Sequence, residues 1–105
     1  MLITEHNSRI HLAFTIGVLV LGFLFHLSKL EFLLLFIVVS IVWIAEIFNT
    51  CIEKILDFLT LQKHPEIKRI KDMAAGAVML ASVCAFVVGA IIFIPKIFNY
   101  VIGSL

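Results

Sequence analysis

Three long apolar runs separated by short charged stretches organise this 105-residue chain. A polar opening with Glu5, His6, Asn7 and Arg9 leads into a run free of Asp, Glu, Lys and Arg from Ile10 to Ser28. As a helix at about 1.5 Å per residue, that run reaches close to the ~30 Å thickness of bilayer hydrocarbon. Gly17 and Gly22 lie inside it, and membrane helices tolerate glycine better than soluble ones. Ser28-Lys29-Leu30-Glu31 is a tiny turn, so the second helix returns antiparallel to the first. His64-Pro65 marks the start of a third helix, because proline suits the first helical turn. Its uncharged run lies between Asp72 and Lys96, with Ala77, Ala81, Ala85 and Gly89 recurring at intervals of four. Such a stripe of small residues lets another helix approach closely. Pro95 falls near the far interface, and Lys96 to Leu105 forms a short amphipathic tail. The pattern predicts an all-α membrane protein, a single domain over 1–105, with three transmembrane helices at about 10–28, 31–58 and 67–95.

The second run is interrupted where a bland span would carry Leu or Val. Glu46, Asn49, Glu53 and Asp57 stand at offsets of 0, 3, 7 and 11. At about 100° per residue these fall within roughly 80° of one another, on one helix face. If Glu31 marks one interface, Glu46 lies about 22 Å along the axis, roughly 8 Å short of the other. Asn49 is still inside the boundary, Glu53 reaches it, and Asp57 lies beyond it in water. The row begins in lipid and ends in solvent.

Composition narrows the classes further. The chain is 63% hydrophobic with a mean hydropathy of +1.20. A soluble domain carries about 45–50% apolar residues, and one this small cannot hide the excess. Net charge is +1, which supplies no electrostatic case for nucleic acid. Cys51 and Cys84 stand apart in apolar surroundings, which predicts buried free thiols rather than a disulfide or metal site. No secretory signal pattern opens the chain. Three spans place Arg9, Lys54, Lys63, Lys68, Arg69 and Lys71 on one side and Lys29 and Lys96 on the other. The first side is therefore assigned to the cytoplasm.

A carboxylate inside hydrocarbon costs about 3 kcal/mol or more, so Glu46 is expected to face protein or a wet cavity. Desolvation disfavours the charged form of a carboxyl group, which suits such a residue to accept a proton. Glu53, at the boundary, can ligate a hard cation such as Mg²⁺ through oxygen. Lys71 opens the third span at the same level and can meet phosphate as a point charge, with Asp72 positioning it. Together these groups suit transfer of a phosphoryl group from a water-soluble donor to a lipid hydroxyl, a reaction that depends on positioning and charge stabilisation. Neither a G-x-x-x-x-G-K-[ST] loop nor a protein-kinase signature is present. Two other classes compete. In a small proton- or cation-coupled transport subunit Glu46 is the ion site, and in an assembly subunit the alanine stripe does the work. Neither needs the boundary groups Asn49, Glu53, Asp57, Lys71 and Asp72, which favours the enzyme.

The row Glu46-Ile47-Phe48-Asn49-Thr50-Cys51-Ile52-Glu53 with Asp57, followed by His64-Pro65 and Lys71-Asp72-Met73-Ala74-Ala75-Gly76-Ala77, resembles the small bacterial integral-membrane diacylglycerol kinase and undecaprenol kinase family. Upstream, Glu5-x-Asn7-x-Arg9-Ile10-His11 resembles the family's segment before its first span, so the likeness covers roughly residues 5–97. The form around His64 and Lys71 is more similar to the undecaprenol kinase branch. The resemblance implies a homotrimeric helix bundle in the bacterial cytoplasmic membrane, with active sites shared between neighbouring chains at the cytoplasmic face. ATP is then the phosphoryl donor and Mg²⁺ the metal cofactor. Glu46 is implied as the general base, and Asn49 orients it or the phosphate. Glu53 and Glu5 are implied as the Mg²⁺ ligands. Lys71 and Asp72 contact or support the nucleotide, with Asp57 and His64 nearby. Family members carry an amphipathic surface helix ahead of the segment matching Glu5, where this chain has four residues; it is expected to lack that helix. His6, His11 and His26 are expected at interface or packing positions rather than in the site.

Overall fold

The computed structural model describes residues 6–59 and 64–104, the side chains of 6–8 excepted. It contains three helices, α1 (His6–Leu24), α2 (Lys29–Leu59) and α3 (Pro65–Ser104), and no strand among the described residues. The β-branched and aromatic runs of α2 would favour strands in water. In hydrocarbon every backbone N–H and C=O needs an internal partner, which a helix supplies within one segment. Helices α2 and α3 are each long and apolar enough to cross a membrane. The apolar part of α1, Arg9–Leu24, is shorter. Large apolar side chains cover the outside, with Phe58 90% and Phe86 77% exposed.

The expected first span, 10–28, is helical only as far as Leu24. The Leu27 amide donates to the Gly22 carbonyl (3.2 Å) and the His26 amide to the Phe23 carbonyl (3.4 Å), while His26 has φ 53°. This is a Schellman closure, with His26 in the left-handed position that glycine normally fills. Four residues later the chain is helical again. The Ser28 amide donates to Glu31 Oε1 (2.9 Å) and the Glu31 amide to Ser28 Oγ (3.2 Å), a reciprocal capping box. Glu31 also pairs with Lys96 Nζ of α3 at 3.2 Å. At the start of α3 the Glu66 amide donates to His64 Nδ1 (3.1 Å) and Pro65 takes the first helical position, as its sequence predicts.

Both hairpins are antiparallel, and their registers follow from these turns. His11 lies as far before the Ser28–Lys29 step as Glu46 lies after it, and the two side chains meet. Asp57 and Lys71 are equally spaced about His64 and also meet. Helix α3 does not stop at Pro95 to leave a separate tail but runs on to Ser104. Phe25, in the first turn, packs edge-on against Phe93 and Tyr100, on either side of that proline. Leu27, Leu35, Ile92 and Phe93 form the buried cluster at this end. In the small-residue stripe Ala81 is buried, Ala85 and Gly89 are half-buried and Ala77 is exposed. Cys51 and Cys84 are free, as expected, but exposed rather than buried. Their apolar surroundings belong to the outer face of the bundle rather than to its interior.

Helix α1 touches α2 at two levels and leaves an apolar groove between them. At one level Phe32 packs on Phe23 and stands where a Gly22 side chain would be, with its Cε1 only 2.8 Å from an added Cβ. At the other, Trp43 Nε1 donates to Thr15 Oγ1 at 3.0 Å. The groove holds about 620 Å³ and is lined by Val18, Leu19, Phe32, Val39 and Ser40, among others.

Three stability changes follow. Gly22→Val forces Phe32 aside and costs about 1–3 kcal/mol. By contrast, Gly17→Ala meets nothing within 4 Å and is neutral or stabilising by up to about 1 kcal/mol. His26→Gly relieves the left-handed backbone and stabilises by about 1 kcal/mol. Thermal unfolding followed by helical circular dichroism in detergent checks all three, and equal behaviour of the two glycine sites would contradict the first.

Candidate active site

Helix α2 presents the polar row, and the other helices cover it unequally. Glu46 is 6% exposed, and Thr50, one turn on, is also buried. His11 Nε2 of α1 stands 3.3 Å from Glu46 Oε2. The Trp43 ring lies 6.0 Å from the His11 ring, tilted by 59°, and the His11 backbone carbonyl accepts from Thr15 Oγ1 at 2.8 Å, one turn along α1. Thr15 in turn accepts from Trp43, so α1 and α2 are tied together beside the buried carboxylate.

Asn49 is half-buried, and its Nδ2 donates to Glu53 Oε1 at 3.4 Å. Its Oδ1 is buried without a partner, the one such side-chain atom among the described residues. Glu53 itself is exposed. An unpartnered amide oxygen beside an exposed carboxylate is a hard-oxygen donor set of the kind Mg²⁺ takes, since that ion keeps several waters and uses few protein ligands. No group of three or more His, Cys, Asp or Glu converges among the described residues. Glu5 lies outside the described residues, as does Lys63.

At the outer end Asp57 Oδ1 accepts from Lys71 Nζ at 2.7 Å, joining the row on α2 to α3. Asp57 is 62% exposed, so this pair is solvated and contributes about 1 kcal/mol or less. Asp72 does not position Lys71, contrary to the sequence-based expectation. Adjacent residues on a helix point about 100° apart, and Asp72 pairs instead with Lys68, one turn back, at 2.8 Å. His64 sits at the start of α3, its Nδ1 occupied by the Glu66 amide.

The structure thus gathers the candidate residues into three groups rather than one. Glu46 is deep with His11, Asn49 and Glu53 lie in the middle, and Asp57 with Lys71 is outermost. From Glu46 to Asp57 the row extends about 16 Å along the helix. His11 is the residue that the sequence reading left out of the site. Counting equally outwards from the Ser28–Lys29 turn would have found it.

Comparison with known proteins finds relatives over most of the chain. An undecaprenol kinase of Bacillus subtilis (strain 168) is 39% identical over 94 residues, which cover 90% of this chain and 76% of that protein. A diacylglycerol kinase of Synechocystis sp. is 33% identical over 100 residues, covering 94% of this chain and 57% of the relative, so the chain spans little more than half of that protein's length. No solved structure matches the chain. The family model for prokaryotic diacylglycerol kinase matches residues 1–93, and the chain belongs to that family of bacterial membrane lipid kinases.

Proposed function

We propose that the protein transfers the γ-phosphoryl group of ATP to the hydroxyl of a membrane lipid alcohol at the cytoplasmic face of the membrane. Undecaprenol is the favoured acceptor and diacylglycerol the second. The name of the 39% identical relative and the form of the sequence around His64 and Lys71 support that order. The observation that carries the reading is the buried carboxylate of Glu46, one turn of α2 beyond Trp43, which lines a lipid-sized apolar groove. A lipid chain lying in the groove between α1 and α2 brings its hydroxyl to Thr15 and Trp43, next to Glu46.

In this mechanism Glu46 accepts the hydroxyl proton as the lipid oxygen bonds to the γ-phosphorus. The bond from that phosphorus to the bridging oxygen breaks, and ADP leaves with the electron pair. Asn49 orients the reacting groups. Glu53, with Asn49 Oδ1 and Glu5, would hold Mg²⁺, which when bound neutralises charge on the nucleotide phosphates. Lys71 exchanges Asp57 for a phosphate oxygen. That is feasible because its ion pair is solvated and weak. Asp72, through Lys68, and His64 border the nucleotide. The three groups are spread along α2, and among the described residues α1 meets the row at its deep end, through His11. This supports completion of each site by a neighbour, in a homotrimer.

Purified full chain in mixed micelles, given labelled ATP, Mg²⁺ and either lipid, should phosphorylate undecaprenol faster than diacylglycerol. Failure to label either would refute the kinase reading. Glu46→Gln keeps the shape, removes the proton acceptor and should lower kcat by about 100-fold or more. Replacing Glu53 by Gln should raise the Mg²⁺ concentration for half-maximal rate about tenfold, equivalent to about 1.4 kcal/mol. An unchanged Mg²⁺ dependence would reassign the metal ligand. Chemical crosslinking should stop at three chains.

A further inference from the structure

We infer that His11 is a positioning residue for the proton acceptor Glu46, with Trp43 beside its ring and Thr15 tying the two helices together at that level. The inference rests on the kinase reading above and deepens it. A buried carboxylate without a fixed partner is free to rotate between rotamers, and either of its oxygens could face the lipid. Here His11 Nε2, 3.3 Å from Oε2, selects one rotamer. An Nε2–H directed at Oε2 leaves Oε1 to receive the proton of the attacking hydroxyl. The Trp43 ring lies beside the imidazole, and its indole N–H donates to Thr15 Oγ1, which ties α1 to α2 at this level; Thr15 Oγ1 itself donates to the His11 backbone carbonyl within α1. His11 from α1 thereby fixes the Glu46 carboxylate of α2, beside the Trp43–Thr15 tie between the two helices. Thr15 and Trp43 also line the apolar groove, so the device that aims Glu46 forms the wall against which a lipid head would rest.

The position of His11 argues against a purely packing role. Its side chain is only partly covered, and a Leu at that position would satisfy the apolar neighbours without an oriented donor. A helix–helix contact alone would need neither an imidazole beside a buried carboxylate nor an indole bonded to a hydroxyl of the facing helix at the same level.

The test compares His11→Leu, which keeps bulk and loses the donor, with His11→Gln, whose side-chain amide restores an N–H at similar reach. Both are made in the full chain and assayed on undecaprenol with Mg²⁺ and ATP. His11→Leu should lower kcat about 10- to 100-fold, with KM for ATP within about twofold of the parent, because a displaced acceptor slows the reaction without touching the nucleotide. His11→Gln should recover most of that loss. In a Glu46→Gln background His11→Leu should cost less than about twofold more, since the two act as a unit. Should the Leu variant lose its helicity, His11→Asn replaces it, with a donor that falls short of Oε2.

An active parent whose His11→Leu variant keeps its kcat overturns the inference and leaves the kinase reading standing. Equal rates for the Leu and Gln variants reduce His11 to packing and also overturn it. A parent that phosphorylates neither lipid overturns both.

Discussion

The cost of a carboxylate in hydrocarbon is the constraint on which this structure turns. Glu46 cannot face lipid without a penalty of several kcal/mol, so some part of the chain must come to it. Helix α1 does so, bringing His11 to Oε2 and Thr15 to the neighbouring Trp43. That requirement helps explain how loosely α1 otherwise sits. It is anchored where Phe32 fills the space over Gly22 and again at the carboxylate, and between the two it stands away from α2. A helix pair with leucines throughout would close like a zipper. This one is held at two levels and leaves an apolar groove.

Depth then divides the chemistry along α2. The deep carboxylate is covered by protein, as the proposed proton acceptor requires. Glu53 and Asp57 are exposed, on the side from which the proposed water-soluble donor would arrive. The two environments also set what each interaction is worth. The Asp57–Lys71 pair is short but solvated, so it holds the lysine weakly and leaves it exchangeable. The contact at Glu46 is longer but sheltered, where solvent screens charge less.

The turns make this division possible. A Schellman closure on His26 and a capping box from Ser28 to Glu31 leave almost no slack between α1 and α2, so the register is set at the turn and carried the whole length of the pair. The Glu31–Lys96 pair and the packing of Phe25 on Phe93 and Tyr100 fasten α3 to the same end. These contacts also keep α3 helical through Pro95, where the local signal alone indicated a break.

The helices and the polar row were legible from the sequence alone, because hydrocarbon demands internally satisfied backbone and about 20 apolar residues per span, and because four polar side chains at helical spacing must share a face. Family membership was legible for a related reason, since the spacing of Glu46, Asn49, Glu53 and Asp57 with Lys71 and Asp72 is local to two helices. Partner choice across helices was not legible in the same way. Asp72 turned to Lys68 rather than Lys71, the cysteines faced outwards, and the first helix ended at Leu24 through an unexpected left-handed His26. Above all, the tertiary structure decided that Glu46 meets His11. Apolar periodicity says which face of a helix is covered but not which residue covers it, because that depends on the register set by a turn many residues away.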